Sequence, residues 1–358
     1  MPKKLGVFAA VILLVMAAVA CGGYSNPNQD AGGSAVATDN PIAAEIDQAS
    51  QQGQDEDTLI LRLGHQTPEE TNYHRGSLRF KKLVEEKTNG AVRVDIYPFR
   101  ELGTDRELLE AMQFGTLDLG MISGPPVSGF APEAAVLDLP YLFKDWEHVN
   151  AFLESDVMDD YNALTEEANI KTIGTMARGY RHITTSAGPI ETPNDLNGTT
   201  LRVIESSVYV ESYETLGASP QSMNFGDAYT ALEQGAIDGQ ENTTDIVYDE
   251  NVYEVNNHVS KTGIQFAFGF LMASKDKFNS WPEDVQTAVL EASEEAMAET
   301  NEENEVHEKE YEELLKEEGM EIHQVNKEPF REKVESVYQN WREKHGDKML
   351  NKIQSLAE

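Results

Sequence analysis

Short apolar runs alternate with amphipathic stretches along the chain from residue 58 onward. This alternation is typical of an α/β domain, in which strands and helices follow one another. In the first half it predicts strands over 59–63, 92–97 and 117–122 and helices over 73–88 and 105–114. Glycine follows both helices, at Gly90 and Gly115, and adopts the left-handed conformation that ends a helix.

The same rhythm continues after residue 170. It predicts strands over 172–175, 182–185, 200–203 and 264–273 and helices over 193–196, 206–216 and 225–234. The apolar run 264–273 has the length expected of a segment that crosses between two domains. Pro282 then opens a long helix, as its first residue, that is predicted to reach Lys316. A short strand over 320–323 and a helix over 331–344 complete the prediction.

The first 57 residues have a different pattern. Lys3 and Lys4 precede an apolar stretch over 5–20, and small residues surround Cys21. The stretch is too short for a comfortable membrane span of about 20 residues, so residues 1–21 are predicted to be a lipoprotein signal peptide with Cys21 as the lipidated residue. A free thiol behind an ordinary signal peptide is the alternative. Residues 22–57 lack apolar periodicity and are predicted to be a flexible acidic tether.

Composition and charge limit the classes of partner. A chain of 358 residues with 40% hydrophobic residues can form two domains with their own cores. Acidic residues outnumber basic ones 63 to 28, which gives a formal charge of -35. This field repels phosphate, so nucleic acid is not an expected partner, and it favours solubility in a salty or alkaline habitat.

The sequence contains no convincing catalytic or metal-binding motif. The eight histidines are scattered singly, without the helical pair of a zinc enzyme, and no nucleophile elbow or phosphate loop is present. We therefore expect no catalytic residues, no cofactor and no resident metal. The densely acidic segment 302–318 is predicted to be a solvated helix face.

Arginine is rare in the middle of the chain. Only Arg178, Arg181 and Arg202 lie between residues 107 and 330. A guanidinium group matches a carboxylate through two parallel bonds and keeps its charge when desolvated. Arg202 lies in a predicted strand and Arg181 precedes another, so both can reach a crevice at the carboxyl ends of strands. They indicate an anion site, although ordinary salt bridges would also explain them.

Several motifs in register resemble those of one family. They are residues 97–98 (YP), 102–103 (LG), 115–118 (GTLD), 132–136 (PEAAV), 139–141 (LPY), 179–185 (GYRHITT), 192–198 (TPNDLNG), 201–203 (LRV), 216–220 (LGASP) and 238–242 (DGQEN). Over residues 59–339 the chain resembles the extracytoplasmic solute-binding proteins of tripartite ATP-independent periplasmic (TRAP) transporters, of the dicarboxylate type.

The resemblance implies a two-lobed α/β fold of the type II periplasmic-binding-protein kind, with a ligand cleft between the lobes and a long helix spanning both. The expected lobes are 58–178 plus 268–307 and 179–267 plus 308–358. The implied function is capture of a small organic acid, either a dicarboxylate or a sugar acid such as a uronate, and its delivery to small and large permease subunits. The protein would be anchored to the outer face of the cell membrane. A ligand-sensing lipoprotein that presents the acid to a receptor is the alternative.

The resemblance also implies which residues bind the ligand. Arg202 corresponds to the family's carboxylate-binding arginine and Arg181 to a second arginine of sialate-binding relatives. Asn242 corresponds to their asparagine, Phe225 to an aromatic residue that packs on the ligand, and Gln66 to a first-strand asparagine.

Three further residues concern selectivity and closure. Ser123 stands where sialate binders carry a carboxylate, so sialic acid is not the expected ligand. Glu205 replaces an asparagine, and a carboxylate there favours an acid whose hydroxyl groups can donate to it; alternatively, Glu205 pairs with a lysine or faces water. His65 is expected to close over the acid together with Gln66 and Ser123.

Overall fold

Two β-sheets determine the architecture of the part that the computed structural model describes, residues 58–357. The strands are β1 (Leu59–Gly64), β2 (Val92–Tyr97), β3 (Leu119–Ser123), β4 (Ile170–Tyr180), β5 (His182–Thr185), β6 (Thr200–Val203), β7 (Ser219–Ser222), β8 (Gly239–Asn242), β9 (His258–Ser260), β10 (Phe266–Ser274) and β11 (Glu321–His323). The first sheet has the order β2-β1-β3-β10-β4, and the second has the order β11-β9-β5-β8-β6-β7.

Helices cover both sheets. The α-helices are Asn72–Lys87, Asp105–Gln113, Trp146–Leu153, Asp156–Asn162, Ser207–Leu216, Phe225–Glu233, Thr244–Asp249, Lys275–Ser280, Glu283–Glu317, Glu328–Lys333, Glu335–His345 and Lys348–Ser355. Short 3₁₀ helices are Pro125–Gly129, Pro132–Asp138, Ala163–Ala168, Pro193–Leu196 and Val252–Glu254. None of the helices in this part of the chain combines the length and the apolar character of a transmembrane span.

Neighbouring parallel strands have their carboxyl ends at the same edge of each sheet. Strand β1 pairs in parallel with β2 and β3, and β6 pairs in parallel with β7 and β8. Side chains that follow or end such strands meet at one edge of the sheet, where α/β proteins bind ligands. The residues after β1 and at the ends of β3, β6 and β8 are therefore placed for binding.

The chain passes three times between the sheets, the last time through the long helix Glu283–Glu317 that leads from β10 to β11. Strand β4 lies in the first sheet, Arg181 follows it, and β5 belongs to the second sheet. The return passage leads from β9 into β10, whose nine residues are all buried and which pairs antiparallel with β4. At the crossing the Arg181 backbone amide donates to the Gln265 carbonyl at 2.9 Å. The apolar run 264–273 begins at this crossing, and from Phe266 onward it is a strand of the first sheet.

The long helix Glu283–Glu317 packs on both sheets, as expected. Val289, Ala292 and Ala296 join the apolar core of the first sheet, and Leu315 joins that of the second. The helix lies so close to β4 that a Cβ added to Gly174 would stand 2.2 Å from Ser293 Oγ. Pro282 is the N-cap rather than the first helical residue, a shift of one position.

The two-lobed α/β fold is confirmed, and the differences from the predicted elements concern short or polar segments. Strands β7, β8 and β9 were not predicted, because they have only three or four residues, and β7 and β8 have largely polar sequences without an apolar pattern. The helices Trp146–Leu153, Asp156–Asn162, Thr244–Asp249 and Lys275–Ser280 were also missed. The predicted helix 331–344 is divided into Glu328–Lys333 and Glu335–His345, and a further helix, Lys348–Ser355, follows it. The lobe boundaries remain a prediction. The signal peptide, Cys21 and the tether lie outside the described residues.

Candidate ligand-binding site

A cavity lies between the two sheets. The chain segments after β1, at the end of β3 and in β4 form one side, and residues of β6, β8 and the helices that follow them form the other. Its lining residues are Gln66, Thr67, Tyr73, Ser123, Arg178, Arg181, Arg202, Ile204, Phe225, Asn242, Ile246 and Glu250. Three arginines thus share one small cavity.

Arg202 is held rigidly by its surroundings. It lies in β6, its side chain is only 1% exposed, and Nε and Nη2 donate to the Met223 carbonyl at 3.0 and 2.8 Å. Its guanidinium carbon lies 5.3 Å from the centre of the Phe225 ring, close enough for a cation–π contact. The third nitrogen, Nη1, is buried and has no hydrogen-bond partner.

The charge of Arg202 is also unpaired. None of the ion pairs found within residues 58–357 includes it. Burial lowers the pKa of its guanidinium to about 10, with the nearby charge of Glu241 opposing the shift, so the group remains a cation at neutral pH. A buried cation without a partner is costly. Arg202 therefore has both the charge and the free donor to bind an anion.

The other two arginines have carboxylate partners of their own. Arg181 Nε pairs with Glu241 Oε2, and Nη2 donates to the Glu241 carbonyl at 2.9 Å. The remaining Glu241 oxygen accepts from the Ile204 amide at 3.0 Å. Arg178 Nη2 donates to Asp245 Oδ2 at 3.0 Å and lies over the ring of Tyr73. These two pairs are close to electrically neutral.

Gln66, Ser123 and Tyr73 form a polar wall on the side of the cavity that belongs to β1 and β3. Asp105 Oδ2 accepts from Gln66 Nε2 and, at 3.3 Å, from the Ser123 amide. The hydroxyl groups of Ser123 and Tyr73 are hydrogen-bonded at 2.9 Å. Burial raises the pKa of the Asp105 carboxyl to about 7. Gln66 lines the cavity and its Oε1 has no partner, so this wall can accept a hydrogen bond from a ligand hydroxyl group, whereas Asp105 lies behind Gln66 and Ser123.

Direct contacts hold the two sides of the cavity together. Asn72, from the helix after β1, donates to Asp245 at 2.9 Å, and Asp245 in turn accepts from Arg178. Ser206 donates to Asp138 at 2.7 Å. The cavity is therefore enclosed by both sheets in this arrangement.

Six of the eight predicted site residues line the cavity. They are Arg202, Arg181, Asn242, Gln66, Phe225 and Ser123. His65 and Glu205 do not line it. The His65 ring instead contacts Thr67 Oγ1 and His74 Nδ1 at 3.2 and 3.0 Å, and burial lowers its pKa to about 3. It packs against His74 of the helix after β1 instead of lining the cavity.

Glu205 is half-buried, and its nearby charge helps raise the pKa of Asp105 and favours the charged form of Arg202. The carboxylate that pairs with Arg181 is Glu241, since the register of β5 and β8 places Glu241 beside Ile183. Glu205 was predicted to select the acid, but it does not line the cavity in which the acid would bind.

Sequence reasoning overlooked several lining residues. Arg178 carries the same signal as the other two arginines, an isolated cation in an acidic chain, and could have been included. Tyr73, Thr67, Ile204, Ile246 and Glu250 have no distinguishing pattern. Only the fold brings them to the cavity.

Comparison with known proteins identifies the family. The profile of the bacterial extracellular solute-binding proteins, family 7, matches residues 63–344. The 2,3-diketo-L-gulonate-binding periplasmic protein YiaO of Escherichia coli is 30% identical over 66% of this chain and 72% of its own length. The C4-dicarboxylate-binding periplasmic protein DctP of Rhodobacter capsulatus is 30% identical over 68% of this chain and 72% of its own length.

Solved structures agree with the fold. A TRAP periplasmic solute-binding protein from Polaromonas sp. JS666, bound to D-erythronate, superimposes with a TM-score of 0.81. It is 29% identical, and the alignment covers 83% of this chain and 98% of that one. These proteins bind solutes for transporters and are not enzymes. The chain belongs to the bacterial extracellular solute-binding proteins, family 7.

Proposed function

We propose that this protein captures a hydroxylated monocarboxylate, with the carboxylate on Arg202, for delivery to the small and large membrane subunits of a TRAP transporter. The observation that supports it most directly is the buried Arg202 Nη1, which has no partner and lines the cavity. An incoming carboxylate would supply the missing charge and accept the free N–H. Closure over the pair removes water, which strengthens the attraction.

The balance of charge in the cavity favours a single negative charge on the ligand. Arg178 and Arg181 are neutralised by Asp245 and Glu241, whereas Arg202 is not. Glu250 is the carboxylate among the lining residues, and it lies 3.5 Å from Arg100. A second ligand carboxylate would find no second unpaired arginine among the lining residues, and the charge of Asp105 behind Gln66 and Ser123 would repel it.

The polar wall indicates what the rest of the ligand carries. Gln66 Oε1 is an acceptor without a donor in the lining of the cavity, and a ligand hydroxyl group would satisfy it. Two of the similar proteins fit this chemistry, since one was solved with D-erythronate and the other is named for 2,3-diketo-L-gulonate. Another relative is named for C4-dicarboxylates, but the charge balance of this cavity disfavours a ligand with two carboxylates.

We further propose that the mature chain is held at the outer face of the cell membrane by lipid on Cys21. The sequence before Cys21 supports this, with two lysines, an apolar stretch and small residues. A tethered binding protein stays near its permease, which raises its effective concentration there.

The ligand class is tested by thermal unfolding of the purified protein. At equal concentrations, D-erythronate and related hydroxylated monocarboxylates should raise the melting temperature more than C4-dicarboxylates such as succinate, because binding to the native state alone stabilises it. Stronger stabilisation by dicarboxylates than by any hydroxylated monocarboxylate would contradict the proposal.

Substitution of Arg202 should remove binding of the acid found in that screen. Arg202→Ala should weaken affinity by about 3 kcal/mol or more, over a hundredfold, and Arg202→Lys should also weaken it because a point charge lacks the planar fork. Titration calorimetry measures both. Arg93→Ala, which removes a partly exposed pair with Asp95, serves as the control with unchanged affinity. Unchanged binding by Arg202→Ala would exclude the carboxylate contact.

Affinity should depend on pH through Asp105. The pKa of this carboxyl is about 7, so above pH 7 it ionises and adds a negative charge beside the bound anion. Affinity should therefore fall as pH rises from 6 to 8, by at most about tenfold per unit. Asp105→Asn should abolish the dependence in calorimetry at pH 6, 7 and 8. An equally steep fall in the variant would assign the effect to another buried acid such as Asp138, whose pKa is also raised to about 7.

Folding stability should change in the same direction. The unfolded Asp105 loses its proton near its ordinary pKa of 3.8, whereas the folded one keeps it to about 7. The free energy of unfolding contributed by this group therefore falls between those two pH values, and Asp105→Asn should remove that part of the fall.

Lipidation is tested in cells. The wild-type chain should partition into detergent and Cys21→Ser into the aqueous phase, because two or more acyl chains anchor a protein stably. Aqueous partitioning of both would show that Cys21 carries no lipid.

A further inference from the structure

Two histidines and a glutamate meet at the edge of the second sheet. Strand β11 is the edge strand and pairs in parallel with β9, with Glu321 beside His258 and His323 beside Ser260. The intervening Val259 is buried and Ile322 packs against the same apolar core. The side chains of His258, Glu321 and His323 consequently share the opposite face of the strand pair.

The donor atoms of these side chains converge. His258 Nδ1 lies 3.1 Å from His323 Nε2, and Glu321 Oε2 lies 3.8 and 3.7 Å from the same two nitrogens. With metal–ligand bonds of about 2.1 Å, two ligands of a tetrahedral site stand about 3.4 Å apart. The observed spacings bracket that value.

Ordinary hydrogen bonding does not account for the whole cluster. One N–H can join the two rings, but both distances to Glu321 Oε2 exceed hydrogen-bond length. The imidazole side chains are 16% and 23% exposed and Glu321 is 66% exposed. The rings are thus positioned by the sheet, while the carboxylate side remains accessible to an ion from solvent.

We propose that His258, Glu321 and His323 bind one Zn²⁺ ion, with the fourth position open to water. Two imidazole nitrogens and one carboxylate oxygen suit zinc and similar transition metals, whereas Mg²⁺ and Ca²⁺ prefer oxygen ligands throughout. None of the three residues lines the acid-binding cavity, so the site is separate from that of the solute.

A bound ion would join two short strands, β9 and β11, that are far apart in the sequence. Strand β11 follows the long helix that packs on both sheets, and β9 leads into the crossing strand β10. Each strand has only three residues, so few backbone bonds hold the edge. Zinc would therefore stabilise the place where the long helix returns to the second sheet.

The test is a titration of Zn²⁺ into the metal-free full chain, followed by calorimetry and by melting temperature. The wild type should bind zinc and melt at a higher temperature. His323→Gln should weaken the affinity about tenfold or more, comparable with other losses at metal sites. Glu321→Gln, which keeps the shape of the side chain, should weaken it to a smaller degree. All variants retain Cys21, so any zinc bound by its thiol contributes equally to every measurement.

The matched control is His74→Gln. His65 and His74 form a second pair with facing nitrogens 3.0 Å apart, without a carboxylate among the clustered donors. This variant should bind zinc like the wild type. Equal melting temperatures in EDTA would show that the variants fold. If His323→Gln does not fold, the zinc affinity of Glu321→Gln tests the proposal.

Two results would overturn the proposal. One is wild-type zinc affinity in both His323→Gln and Glu321→Gln. The other is equal affinity for Mg²⁺ and Zn²⁺, which would indicate loose binding to the acidic surface rather than to imidazole nitrogens.

Discussion

A guanidinium group buried in a protein interior costs several kcal/mol unless an anion accompanies it. Three such groups lie between the two sheets, and the fold supplies carboxylates for only two of them, Glu241 for Arg181 and Asp245 for Arg178. The third, Arg202, is oriented by the Met223 carbonyl and the Phe225 ring. These contacts come from the protein itself, so an anion would need to order Arg202 little on binding.

The same arginines lie where the chain moves from one sheet to the other. Arg178 is near the end of β4, and Arg181 follows that strand at the crossing. Contacts made by Arg178 and Asn72 with Asp245 join residues of the two sides. Enclosure of the cavity and neutralisation of its charges are therefore parts of one arrangement, and under the proposed function an acid on Arg202 would complete it.

Local pattern was sufficient for most of the fold. Apolar periodicity is a property of neighbouring residues, so the longer strands, the crossing run and the helix Glu283–Glu317 could be predicted from it. Strand β8 could not, because its sequence Gly-Gln-Glu-Asn is polar and its burial results from pairing with β5 and β6. The residues of the site were found mainly through resemblance, which is why Arg178 and Tyr73 were missed.

The sequence by itself determined that an isolated arginine, Arg202, lies in a strand of an α/β protein related to solute-binding proteins. Only the tertiary structure decided which arginine lacks a partner, because the register of β5, β8 and β6 gives Glu241 to Arg181. It also brought His258 and His323 together across 65 residues of sequence. Charge and periodicity can be read locally, whereas pairing depends on which distant segments the sheets place side by side.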